Sequence, residues 1–94
     1  MPTVIHGDFE WDADKAERNM ARHGIAFEEA ALAMRDALAV DFDDLAIPEN
    51  LVTLAPSPNG AILYIVSTQR EGRIRLISAR RASTHERRVY EEGE

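Results

Sequence analysis

The first third of the chain carries apolar residues at helical spacing between clear start and stop residues. Asp12 is a good N-cap for a helix over residues 13–23, and Gly24 supplies the left-handed position that ends it. A second helix is predicted over residues 27–35. Its apolar positions have helical spacing: Phe27, Ala30, Ala31 and Met34.

The rest of the chain alternates short apolar runs with turn residues. Residues 9–12 alternate apolar and acidic side chains, which predicts a short edge strand. Further strands are predicted over residues 37–42, 51–55, 61–68 and 73–82. Ser83 and Glu86 have the spacing of a capping box, so a final helix is predicted from there towards Glu92.

This order of elements, β-α-α-β-β-β-β-α, predicts an α+β fold. Consecutive strands joined by short turns favour an antiparallel meander, with the helices packed on one face. We expect a sheet of about four to five strands, two N-terminal helices and one C-terminal helix. The 94 residues contain no linker or repeat, so a single domain over residues 1–94 is expected.

Composition favours a cytoplasmic protein. The chain is 45% hydrophobic, enough for a folded core, and it contains no cysteine. Its longest apolar run, residues 61–66, is too short to span a membrane, and its first residues do not resemble a signal peptide. We therefore expect no membrane partner.

Charge is distributed unevenly along the chain. The net charge is −6, which argues against a simple nucleic-acid binder. Residues 1–69 carry 4 basic and 12 acidic side chains, whereas residues 70–88 carry 7 basic and 2 acidic ones, a net of +5. Every basic residue except Lys15 is an arginine, the side chain best suited to bidentate phosphate binding. An acidic body with one basic edge suits both a cationic partner and a phosphate.

The first predicted helix carries a polar stripe. Lys15, Asn19, Arg22 and His23 share one face of it, beside Ala16 and Met20. Asn19 and His23 should therefore lie at the edge of the core, with Lys15 and Arg22 farther out. A partly buried histidine suits acid–base chemistry. The structural alternative is that His23 stabilises the helix C-terminus through the helix dipole.

The last predicted strand carries an arginine cluster. Strict alternation places Arg73, Arg75 and Arg81 on one face, and Ser78 and Arg80 on the other. An RNA cleft would use these guanidinium groups to bind the scissile phosphate. The alternative is a set of salt bridges to acidic residues across the sheet: Asp12, Glu28 or Glu29. For the cluster as a whole, we favour phosphate binding over purely structural salt bridges.

Outside the first helix and the last strand, the sequence offers few candidate site residues. Tyr90 in the last helix can pack through its ring or stack on a base. His6 is placed in a loose tail and given no role. No phosphate loop, metal-ligand pattern or nucleophile elbow occurs, so neither a metal nor a cofactor is expected. The aspartates at 41, 43 and 44 lack calcium-loop spacing and are interpreted as an acidic loop.

Two blocks of sequence together resemble the BrnT family of toxins. The first comprises Phe9-Glu10-Trp11-Asp12, Lys15, Asn19, His23-Gly24-Ile25 and Phe27-Glu28-Glu29-Ala30. The second comprises residues 73–82, Glu86-Arg87 and Tyr90-Glu91. The similarity covers about residues 9–92, nearly the whole chain.

The resemblance implies the toxin of a type II toxin–antitoxin system, a RelE-like ribonuclease that stops translation. It implies metal-independent cleavage, in which the RNA 2′-hydroxyl attacks the adjacent phosphate. It also implies a BrnA-like antitoxin of the ribbon-helix-helix class. The antitoxin would bind DNA, and the toxin would contact DNA only indirectly, through the antitoxin.

On this resemblance and its chemistry, we assign roles to the matching residues. The acid–base candidates are His23 and Lys15, and the catalytic phosphate-binding candidates are Arg80 and Arg81. The predicted RNA-binding residues are Arg73, Arg75, Asn19, Ser78 and Tyr90, with Asn19 and Ser78 as orienting groups.

One region departs from the family pattern. Residues 45–51 lack the basic side chains usual before the third strand, and Pro56-Ser57-Pro58 is also unusual. The alternative function is therefore a catalytically weakened toxin-fold protein that acts as a co-repressor with a DNA-binding antitoxin. An RNA-binding domain without catalysis is disfavoured, because no aromatic platform adjoins the arginines.

Overall fold

A computed structural model describes residues 2–93 of the chain. Its helices are α1 (Ala13–His23), α2 (Phe27–Met34) and α3 (Thr84–Glu92). Its strands are β1 (Thr3–His6), β2 (Phe9–Asp12), β3 (Val40–Asp43), β4 (Asn50–Pro56), β5 (Ile62–Arg70) and β6 (Arg73–Arg81). None of the helices in this range has the length and apolar character needed to cross a membrane.

Local sequence signals set the helix ends as predicted. The Asp12 carboxylate accepts a hydrogen bond from the Lys15 backbone N–H at 2.9 Å, and Gly24 ends α1 with φ of 72°. Ser83 and Glu86 form the predicted capping box at the start of α3. Asp12 and Gly24 thus fix the two ends of α1, the helix that carries the predicted acid–base residues.

The α+β class is confirmed, but the sheet is larger and more mixed than predicted. It has six strands in the order β1-β2-β6-β5-β4-β3. The prediction missed β1, which includes His6 and forms an antiparallel hairpin with β2 through Gly7. As a result β2 is not an edge strand. It lies between β1 and β6, and it pairs with β6 in parallel.

The two faces of the sheet are covered by different helices. One face, here called the core face, carries Leu63 and Ile65 and packs against Ala30 and Ala31 of α2. The register places Leu54 and Tyr64 on the opposite side, here called the open face. Against that side packs α3, beside a groove lined by Val52, Leu54, Tyr64 and Val89. The expectation that all helices pack on one face was therefore wrong.

A β-bulge in β6 changes which residues share a face. Val66 pairs with Ser78, but the next residue of β5, Ser67, pairs with Leu76, so Ile77 is an extra residue. The register therefore gathers four polar residues on the open face: Arg73, Arg75, Ser78 and Arg80. Arg81 lies on the other face with Ala79. The prediction from strict alternation was wrong, because it assumed an unbroken strand.

Candidate functional site

A basic groove lies between α1 and β6, at the bulge. It encloses about 230 Å³. Its lining residues are Lys15, Arg18, Asn19, Arg22, His23, Ile77 and Ser78. Every ionisable lining residue is a cation or a histidine, and no carboxylate lines the groove. A chain with a net charge of −6 thus presents a local positive surface here.

Asn19 holds the two walls of this groove together. Its side-chain NH₂ donates to the carbonyl oxygens of Ala79 at 2.8 Å and Ile25 at 2.9 Å, and its oxygen accepts from the Ala79 N–H at 3.1 Å. The amide therefore satisfies the backbone edge of β6 beyond its short pairing with β2. Asn19 is buried, and all of these bonds go to the protein backbone. This geometry gives Asn19 a positioning role.

The rest of the predicted helix stripe is arranged largely as expected. His23 is half-buried in the last turn of α1, while Lys15 and Arg22 are exposed. Met20, expected beside the core, is 47% exposed instead. Sequence reasoning missed Arg18 as a lining residue. Its spacing of i+3 from Lys15 was the available signal.

Arg75 lies on the open face in an ion pair. Its Nη1 is 2.6 Å from Oε2 of Glu10, and both side chains are largely buried. The parallel pairing of β2 with β6 sets these two residues side by side. The partner differs from the acidic residues considered from the sequence, because the position of β2 was not predicted.

Arg80 is held by α3. Its guanidinium donates to both carboxylate oxygens of Glu86, at 2.8 and 2.9 Å, and lies 4.0 Å from the centre of the Tyr64 ring. The hydrogen bonds from Arg80 lower the pKa of Glu86 to about 2, and the same contact raises the pKa of Arg80. Arg80 is thus oriented towards α3 and is not among the residues that line the basic groove.

The other predicted site residues are separated from the groove. Arg73 and Arg81 lie at the two ends of β6 and form no ion pair within residues 2–93. The Tyr90 hydroxyl donates to the Leu38 carbonyl at 2.9 Å, which fastens α3 to the loop before β3. The structure therefore brings together Lys15, Asn19, Ser78 and His23, and places the arginine cluster on neighbouring surfaces.

Comparison with known proteins gives a consistent result. The family model described as "Ribonuclease toxin, BrnT, of type II toxin-antitoxin system" matches residues 11–86. The fold is similar to the crystal structure of the Brucella abortus ribonuclease toxin BrnT, with a TM-score of 0.64 and 23% sequence identity. The match covers 79% of this chain and 94% of that one. No match was found among curated proteins.

Proposed function

This chain belongs to the BrnT family of ribonuclease toxins of type II toxin–antitoxin systems, and we propose that it cleaves RNA at the groove between α1 and β6. The observation that carries the proposal is the charge of that groove: Lys15, Arg18, Arg22 and His23 line it without a carboxylate. An RNA phosphate is the ligand that such a lining attracts. Cleavage of RNA would stop translation.

The cleavage that this site supports requires no metal. The RNA 2′-hydroxyl loses its proton to a base and attacks the adjacent phosphorus, the bond to the 5′-oxygen breaks, and an acid protonates that oxygen. The products are a 2′,3′-cyclic phosphate and a 5′-hydroxyl. Arginines stabilise the charge that builds on the phosphate oxygens.

Within the groove, His23 and Lys15 are the groups that can carry these two protons. An imidazole suits this work because it exchanges a proton near neutral pH. The two residues are two turns apart on α1, about 12 Å along the helix axis. Both therefore act on one phosphate only if the long Lys15 side chain extends towards His23.

The RNA path continues from the groove onto the open face. Ser78 belongs to both surfaces, because it lines the groove and shares the open face with Arg73 and Arg75. A strand that leaves the groove past Ser78 meets these arginines. We assign Arg73, which lies on this face and makes no ion pair within residues 2–93, to a phosphate contact flanking the cleaved bond. Arg81 also makes no ion pair in this range, but it lies on the core face and is not on this path.

A specific observation favours a second candidate function. Arg75 and Arg80, two of the predicted phosphate-binding residues, are already paired with Glu10 and Glu86. Their charges are therefore partly neutralised. This arrangement supports a toxin-fold protein with weakened cleavage that serves as a co-repressor with its antitoxin.

In both cases the partner is an antitoxin. We propose a BrnA-like ribbon-helix-helix protein, which would bring the toxin to DNA indirectly. The acidic body of the chain, with 12 acidic against 4 basic side chains over residues 1–69, suits a cationic partner.

RNA binding to the groove can be tested with paired arginine variants. Arg18→Ala/Arg22→Ala should weaken binding of a short single-stranded RNA, and the log–log dependence of affinity on salt should flatten by about 0.7 for each phosphate that the variant no longer neutralises. Arg87→Ala/Arg88→Ala is the matched control, since it removes the same charge from exposed positions on α3. An equal weakening of RNA binding in the two double variants would contradict the assignment to the groove.

A further inference from the structure

The strand β3 forms one end of the sheet, and its outer edge is unpaired. It pairs with β4 alone, through Val40–Leu54 to Asp43–Leu51. No other backbone hydrogen bond to β3 occurs within residues 2–93. A free strand edge is a template on which another extended chain can pair.

Exposed apolar side chains concentrate around this edge. Seven large hydrophobic residues are exposed in the described part of the chain, and four of them lie in or beside β3. These are Leu38, Val40, Leu45 and Ile47. Leu45 is 95% exposed, and a concentration of exposed apolar side chains on one surface is typical of an interaction site.

A groove of about 430 Å³ lies beside β3 on the open face. Six of its nine lining residues are apolar or aromatic: Phe42, Leu45, Val52, Leu54, Tyr64 and Val89. The other three are Asp43 and His85 at the rim and Glu86, which is paired with Arg80. Val40 and Phe42 point to this face, since they pair with Leu54 and Val52. Side chains that enter the groove from the β3 edge should therefore be apolar.

The core-face side of β3 has the opposite character. A cavity of about 360 Å³ there is lined by the carboxylates Asp41, Asp43 and Glu49, and no cation lines it. Phe9, Met34 and Ile74 add apolar wall. Ser67, which is 2% exposed, also lines this cavity.

This lining suits a basic side chain. The apolar wall can pack against the methylene stem, and the carboxylates can accept hydrogen bonds from the charged end. Asp41 already accepts a hydrogen bond from the Thr53 hydroxyl at 2.7 Å, which fixes its orientation.

We propose that the β3 edge binds an extended segment of a partner protein in which apolar and basic residues alternate. A strand added to this edge directs successive side chains to opposite faces. Its apolar residues then lie beside Val40 and Phe42, and its basic residues beside Asp41 and Asp43. The alternation in the partner thus matches the difference between the two faces.

This surface is distinct from the basic groove between α1 and β6. Naming the partner as the antitoxin rests on the proposed function, whereas the chemistry of the segment rests on the β3 edge alone. An extended segment paired with β3 would not itself touch the residues that line the groove.

A pair of synthetic peptides tests the proposal with the full chain. One peptide alternates arginine and valine, and the control has the same composition with the arginines and valines in separate blocks. The alternating peptide should bind more tightly by about tenfold or more, and backbone amide shifts should change in β3 and β4. Equal affinity for both peptides, or shifts centred on the other edge strand, β1, would overturn the proposal.

Variants separate this surface from the RNA site. Asp43→Asn should weaken the alternating peptide by about fivefold, while Glu28→Gln, the same loss of charge on an exposed part of α2, should not. RNA binding should be unchanged in Asp43→Asn. A peptide affinity unaffected by Asp43→Asn, or a chain that self-associates through β3 and excludes the peptide, would refute the docking surface whatever the RNA result.

Discussion

Asn19 shows how a single amide positions a site. Its three hydrogen bonds reach Ala79 on β6 and Ile25 after α1, and so hold the helix that carries Lys15 and His23 against the strand that carries Ser78. The sequence placed Asn19 on the correct helix face. It could not reveal that the partner is the backbone of a strand 60 residues away.

Replacement of Asn19 should therefore lower the stability of the protein. Asn19→Ala leaves a buried N–H and two carbonyl groups without partners, which should lower the free energy of unfolding by about 2–4 kcal/mol. Arg22→Ala, an exposed change on the same helix, should alter stability by less than about 0.5 kcal/mol. Denaturant unfolding of the two variants measures the difference, and equal stability would show that the amide does not join α1 to β6.

His23 has two candidate roles that predict different results: proton exchange during cleavage, or stabilisation of the C-terminal end of α1. If it exchanges a proton during cleavage, His23→Ala should lower the single-turnover rate by roughly two orders of magnitude or more. If it only stabilises the end of α1, the variant should lose on the order of 1 kcal/mol of stability and cleave at the parent rate. Thermal unfolding and the cleavage rate, measured on one variant, decide between them.

His85→Ala provides the matched control for His23. It removes an exposed histidine from the first turn of α3 and should change neither the cleavage rate nor the stability appreciably.

Among the elements that the sequence predicted, β6 and α3 have the expected bounds, but the face on which β6 presents its arginines and the side of the sheet that α3 covers differ from expectation. The extra residue Ile77 brings Arg73, Arg75, Ser78 and Arg80 to one face. A bulge has no dependable local signal in the sequence. Strict alternation therefore assigned Ser78 and Arg80 to the face opposite Arg73 and Arg75. The side of the sheet taken by α3 is likewise set by tertiary packing, because its capping box fixes where the helix starts and not where it lies.

The contact between Arg80 and Glu86 should make the stability of the protein depend on pH. The pKa of Glu86 falls from its ordinary 4.5 to about 2, chiefly through hydrogen bonds from Arg80. Because the folded pKa is the lower one, this stabilisation is present above about pH 5 and is lost as the pH falls towards about 2. Solvent screening of Arg80 limits it to the order of 1–2 kcal/mol.

Glu86→Gln tests this dependence, because glutamine can keep the capping box while losing the charge. Its unfolding free energy should fall less than that of the parent between about pH 5 and pH 2. The control is Glu91→Gln, an exposed carboxylate on the same helix. Parallel curves for the parent and Glu86→Gln would contradict the ion pair.

For the whole molecule, charge is segregated between two surfaces. The groove between α1 and β6 is lined by cations and a histidine, and the core-face cavity beside β3 by three carboxylates. The sequence predicted a basic edge on an acidic body and located it at residues 70–88. The groove instead takes its cations from α1, while Arg75 and Arg80 are paired.

The fold class and most element boundaries followed from caps, turns and periodicity, which are local. The parallel pairing of β2 with β6 and the hairpin of β1 with β2 are not local, since they depend on which strands meet across the chain. The candidate site depends on both local and non-local features. Except for Arg18, the sequence predicted which residues of α1 line the groove on one side, but it did not predict that Ile77 and Ser78 of β6 line the other side.

Cleavage of a short RNA by the purified chain in the presence of EDTA tests the central claim most directly, with the ends of the products identified. Catalysis in the basic groove predicts cleavage that persists without free divalent metal and yields a 2′,3′-cyclic phosphate and a 5′-hydroxyl. Intact RNA, or products that carry a 5′-phosphate, would contradict it.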